Sequence, residues 1–119
     1  MNKILDEQEL HNLAMNIVGK DLEEQGYEFL AVNSTLKKDP QFVVLKKGKL
    51  FFVLVQAITY PDDPNAFDVV FMETIKQHAI KFKARTFYAA VGLASALDYA
   101  KPLTNDEDYV INYQGIKEL

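Results

Sequence analysis

Apolar residues recur at spacings of three and four near the start of the chain, where Leu10, Leu13, Ala14, Ile17, Val18 and Leu22 form one stripe. Glu7, Asn12, Asn16, Lys20 and Glu23 fall largely on other faces. This is the period of an amphipathic helix and predicts one from about Asp6 to Gln25. Asp6 followed by Glu9 has the form of a capping box, and Gly26 supplies a left-handed stop. The pattern then changes to that of strands. Tyr27–Asn33 alternates Tyr27, Phe29 and Ala31 with Glu28, Leu30 and Val32, and Pro40–Leu45 is short and β-branched. Leu50–Ile58 is apolar on both faces, as in a central strand covered on each side. The polar turn Lys46-Lys47-Gly48-Lys49 joins the last two into an antiparallel hairpin.

Tyr60–Asn65 breaks the chain, because its prolines and aspartates cannot continue a strand. A second helix is predicted from about Ala66 to Lys83, with Val69, Met72, Ile75, Ala79 and Phe82 as its apolar stripe. Thr86–Leu93 reads as a buried strand, Ser95–Pro102 as a short helix or loop, Asn105–Asp108 as an acidic turn and Tyr109–Tyr113 as an edge strand. The order α-β-β-β-α-β-β, without repeats or a linker, predicts one α/β domain over residues 1–119. It would hold a four- to five-stranded mixed sheet flanked by two long helices. The expected core is Leu13, Ile17, Phe29, Phe52, Val53, Val55, Met72, Ile75, Ala79, Phe82, Val91 and Leu93.

Composition narrows the chemistry. The 119 residues contain no cysteine, which removes disulfides, thiolate catalysis and iron–sulfur clusters together. A net charge of −4 argues against a protein built to coat phosphate backbones. The acidic N-terminal stretch has no signal-peptide core, and no apolar run approaches the ~20 residues that span a bilayer. A cytoplasmic protein with no membrane partner is the expectation. His11 and His78 lie on separate helices, and neither has the i+4 histidine of a helical metal pair. Ser34 and Ser95 lack a nucleophile elbow, and the five glycines are too scattered to cradle a phosphate. Asp62-Asp63 and Asn105–Asp108 read as solvated turns rather than cation sites. Lys37-Lys38 and Lys46-Lys47-Lys49 are the basic clusters of the sequence; without interleaved aromatics they read as solvated surface.

The order αβββαβ resembles the core of the restriction-endonuclease-like, or PD-(D/E)XK, superfamily, above all its small Holliday-junction-resolvase-like bacterial members. The likeness runs through Leu22-Glu23-Glu24-Gln25-Gly26-Tyr27 and the strand to Asn33, then through Leu50-Phe51-Phe52-Val53-Leu54-Val55-Gln56, Lys76 and Thr86–Leu93. It covers about residues 8–95. In such nucleases an aspartate on the second strand and a glutamate on the third hold magnesium, and a lysine two positions on orients the attacking water. Laid on this pattern, Gln41 stands at the aspartate, Leu54 at the glutamate, Gln56 at the lysine and Met15 at a helix glutamate. Asp39 lies two residues from Gln41; a one-step slip would pair it with Gln56 and put Ile58 at the lysine. The resemblance therefore implies a dismantled site with no catalytic residue, no metal and no cofactor. Similar short proteins also carry the name of the flavin-bearing component of the sodium-translocating NADH–quinone reductase, but that component needs four cysteines for its iron–sulfur cluster.

Two functions compete. One is an interaction or structural module, such as a homodimer or the docking site of a protein partner, using exposed aromatics and Tyr109–Tyr113. The other is binding of a nucleic acid or a small polar ligand in the vestigial cleft, lined by Gln41, Gln56, Tyr60, Lys76 and Tyr88. Strand alternation puts Leu54 and Gln56 on one face with Phe52 and Ile58, with Met15 expected on the same side. The former metal position should be filled by apolar side chains, with Gln56 at its border holding a hydrogen-bond partner.

Overall fold

A computed structural model describes residues 3–35, 40–59, 62, 68–105 and 107–119. Lys37-Lys38, Asp39, Tyr60, Asp63, Asp106 and the predicted first turn of the second helix at Ala66 lie outside the described residues. Helix α1 spans Glu7–Glu24. Asp6 accepts from the Glu9 amide while the Glu9 carboxylate accepts from the Asp6 amide, so the predicted capping box is formed. Gly26 follows at φ +85°. Strands β1 (Glu28–Val32), β2 (Phe42–Lys46) and β3 (Lys49–Thr59) form an antiparallel meander. The β2–β3 turn is tight: Lys46 pairs with Lys49, and Lys47 and Gly48 sit at φ 52° and 76°. Two successive positive φ angles match the right-handed twist of the flanking strands.

Helix α2 (Val69–Lys81) crosses from β3 to β4 (Ala84–Ser95), which pairs with β3 in parallel from Leu50–Ala84 to Thr59–Leu93. Strands β5 (Tyr109–Tyr113) and β6 (Lys117–Glu118) both pair antiparallel with β4, at opposite ends of it. The product is an α/β domain with a mixed six-stranded sheet, one strand more than the predicted maximum. The addition is β6. Two residues carry too little pattern to read as a strand, and what holds them is distant in sequence: Arg85 grips Glu118 through two hydrogen bonds of 2.6 Å.

The helices cover opposite faces. Ala14, Met15, Val18 and Leu22 of α1 pack with Phe51, Val53, Val55, Phe87, Ala89 and Val91. Met72 and Ala79 of α2 pack with the alternate residues Phe52, Leu54 and Tyr88. Met15 therefore lies across the sheet from Leu54, not beside it as expected. The matching odd and even positions follow from the in-register parallel pairing, because residues two apart share a face.

Other expectations also change. Phe82 and Val69 are 57% and 70% exposed rather than core. Val69 is the first residue of α2, and Phe82 is its cap, where the backbone is leaving the helical path and a 100° step no longer sets direction. Leu13, Ile17, Phe29 and Ile75 are half-buried. The predicted alternation of β1 breaks at Leu30, where the register shifts between Phe29 and Ala31. The extra residue of a bulge moves every later side chain to the other face. Residues 96–102 form bends and turns, the loop rather than the helix of the two expected for this stretch. Against them runs the chain start, with Ile4 bridging Thr104 and the Leu5 amide donating to Leu103 O at 2.9 Å.

Candidate functional site

On the α2 face of the sheet, Leu54 and Tyr88 are neighbours in the parallel β3–β4 pair. Leu54 is 1% exposed and packs with Met72 and Tyr88, with Ile75, Phe71 and Leu119 around them. The position where the resemblance calls for a metal-binding glutamate is thus hydrocarbon, filled from α2 and from the last residue of the chain. Gln56 sits at the border of this cluster, half-buried, and its amide oxygen accepts from the Tyr88 hydroxyl at 2.9 Å. Burial raises the Tyr88 phenol above its ordinary pKa, so at neutral pH the group is a neutral donor.

The remaining cleft residues do not gather there as a set. Gln41 is 1% exposed, and its side-chain oxygen accepts from the Val55 amide at 2.7 Å. Its own amide donates to Val53 O at 3.1 Å, and its carbonyl accepts from the Asn33 amide at 2.8 Å. Strand β2 begins at Phe42, opposite Val53, so its ladder does not reach Val55, and the Gln41 side chain supplies the acceptor there. Lys76 is half-buried on α2 and, among the described residues, makes no ion pair. Tyr60 lies outside the described residues. Sequence spacing suggests a shared lining; the structure joins Gln56 with Tyr88 and commits Gln41 to the sheet.

Missed entirely by sequence reasoning is a cavity of about 260 Å³ beyond the carboxyl ends of β3 and β4. Leu5, Leu10, Leu93, Tyr99, Lys101 and Leu103 are among its walls, and among the described residues the walls carry no carboxylate and no histidine. Among the described residues, no three of His, Asp and Glu come together in a group able to hold a metal ion.

The other feature in view is the pair of sheet edges. Strand β1 has Glu28 and the bulge at Leu30, both of which hinder further strand pairing. Strand β5 has neither. Its pairing with β4 is regular from Tyr109–Ser95 to Tyr113–Val91, and residues 109–116 carry no charge. Tyr109, Val110 and Ile111 are 38%, 39% and 50% exposed. The strand is anchored from behind, because the Tyr113 hydroxyl donates to Asp21 of α1 at 2.6 Å and the Tyr113 ring packs on the α1-side core. Burial, then the hydrogen bond and negative charge of Asp21, raise the Tyr113 pKa far above the usual phenol value.

The model of the family DUF8840, described as a domain of unknown function, matches residues 8–119. The chain belongs to the DUF8840 family. The match takes in α1 from its second residue and every later element to β6, including the C-terminal strands that lie beyond the nuclease resemblance. A comparison with curated proteins gives no match. Among the described residues, no helix of the DUF8840 domain is long and apolar enough to cross a membrane.

Proposed function

We propose that this DUF8840 domain is a non-catalytic interaction module that pairs with a second copy of itself through the open edge of β5. The observation that carries the reading is an edge strand without charge, proline or bulge, exposed at Val110 and Ile111 and fixed to α1 by the Tyr113–Asp21 bond. Unpaired amides and carbonyls on such an edge are a template for another strand. Antiparallel pairing about a two-fold axis at Ile111 would set Tyr109 opposite the partner's Tyr113 and Val110 opposite the partner's Asn112. The edge is thus self-complementary, and aromatic cross-strand pairs contribute about 0.2–1 kcal/mol each. A five-residue edge is smaller than the ~800 Å² per partner of a standard interface. Leu97, 75% exposed in the connection from β4 to β5, adds apolar area, and the Ala96 amide ties that connection to Asp108 at the entry of β5.

The restriction-endonuclease-like relationship belongs to the same proposal: the order αβββαβ agrees with it, and Leu54 at the third-strand position supports a scaffold that has lost its chemistry. The filled environment of Leu54 disfavours the alternative in which a ligand enters the vestigial cleft. Size-exclusion chromatography with light scattering tests the proposal. A mass of twice 13.6 kDa is expected, falling to one chain as the sample is diluted. Ile111→Lys should give one chain throughout, since edge lysines oppose strand addition. A wild-type monomer at every concentration would overturn the reading.

A further inference from the structure

The end of the sheet opposite β5 collects charge that the sequence keeps apart. Lys47 lies in the β2–β3 turn and Lys49 opens β3. Lys49 and Lys83 each stand one residue before the first parallel pair, Leu50–Ala84, at the same end of the sheet. Lys81 closes α2 in the same place, and Phe82 caps it. The Phe82 ring rests on Phe52 at 5.9 Å and on His78 at 5.2 Å, yet it is 57% exposed and His78 is exposed with it. Among the described residues no ion pair engages Lys47, Lys49, Lys81 or Lys83. The nearby Glu118 is occupied by Arg85, and Glu28 stands across β2 on the far edge. So the aromatic absent from the lysine cluster in sequence is supplied in space by the end of α2.

Two backbone angles add to this. Lys47 and Lys83, at φ 52° and 58°, are the non-glycine residues with positive φ among the described residues. Both occupy turn positions where glycine or asparagine fits with less strain. We propose that this end of the sheet, where Phe82 and His78 stand exposed on the α2 face and Lys47, Lys49, Lys81 and Lys83 lie in and beside the two turns, binds single-stranded nucleic acid. Lysines that track phosphates around a ring on which a base stacks are the means by which proteins hold single strands without reading sequence. Because the whole chain is acidic, at −4, the attraction is local and readily screened. The surface lies away from β5, so binding does not depend on self-association.

The test is fluorescence anisotropy with the full chain and a labelled oligothymidine, beside a duplex of equal length. Single-strand binding is expected to weaken by about 50-fold between about 50 and 200 mM salt, as for about four phosphate contacts. Phe82→Ala should cost at least about fivefold at unchanged salt slope, the least expected for loss of one stacked base. The double variant Lys47→Asn/Lys83→Gly should flatten the slope by about 1.4 while melting higher than wild type, since it relieves both turns. Lys101→Gln, at the other end of the molecule, should change nothing. The proposal fails if the single strand does not bind at low salt, if the duplex binds equally well, or if Phe82→Ala binds like wild type while keeping its melting temperature. It also fails if Lys101→Gln weakens binding as much as the double variant does.

Discussion

Leu54 and Gln56 are two residues apart on one face of β3, but their surroundings differ. Leu54 is 1% exposed among Met72 and Tyr88, whereas Gln56 is half-buried with the Tyr88 hydroxyl on its amide oxygen. Leu54→Glu would bury a carboxylate with no partner, a loss of about 3–5 kcal/mol. Gln56→Leu would remove the amide oxygen that accepts from the Tyr88 hydroxyl, at a site within reach of water, for about 1 kcal/mol. Thermal melts should separate the two clearly. Recovery of Leu54→Glu on adding magnesium would mean that the cleft is open after all. Tyr113 sets a second test. Its folded pKa is raised, so the stability tied to the neutral phenol is full below the unfolded value of about 10 and falls as pH climbs above it. Tyr113→Phe should lose about 1–2 kcal/mol at pH 7, and urea melts through the alkaline range should then decline less steeply than for wild type.

Among the elements, α1 and the β2–β3 hairpin were legible because local chemistry fixes both. Asp6 and Glu9 satisfy each other's turn of backbone, and the Lys47-Gly48 turn leaves one register for the strands it joins. The bulge in β1 was not legible, since nothing in Tyr27–Asn33 distinguishes an extra residue from a regular alternation. Strand β6 is the opposite case, a strand formed because β4 offers an edge and Arg85 a clamp. The Arg85–Glu118 pair is half in solvent, so Arg85→Ala should shift global stability by less than about 1 kcal/mol. Local opening is where the loss should register: amide exchange at Lys117, Glu118 and Leu119 is expected to quicken well before that of β4. Equal protection in both proteins would show that main-chain pairing and Leu119 hold β6 alone.

For the whole molecule the parallel β3–β4 pair is the axis. At its carboxyl end β4 carries β5, and at its amino end the β2–β3 turn and the cap of α2 lie at the same end of the sheet. A dimer through β5 would join two sheets into one and leave both basic ends outward. If it forms, the melting temperature should rise with protein concentration, because a folded dimer is favoured by mass action. For Ile111→Lys the melting temperature should not depend on concentration, and differential scanning fluorimetry over a dilution series reads this directly.

By itself, the sequence determined the α/β class, the order of the long elements, the capping of α1, the burial of β3 and β4, and the neutral character of positions 41, 54 and 56. These rest on residue type and on periods of two and four, which act over a few neighbours. Tertiary structure decided which helix covers which face, and so moved Met15 away from Leu54. It also turned Gln41 into an acceptor for Val55, exposed Phe82 and brought Lys49 to the same end of the sheet as Lys83. The separation of Met15 from Leu54 and the meeting of Lys49 and Lys83 at one end depend on parallel pairing across a helical crossover, whereas Gln41 reaches Val55 from beside the antiparallel β2–β3 pair. Strand register couples residues more than thirty positions apart, and a single inserted residue, as at Leu30, changes which side chains meet.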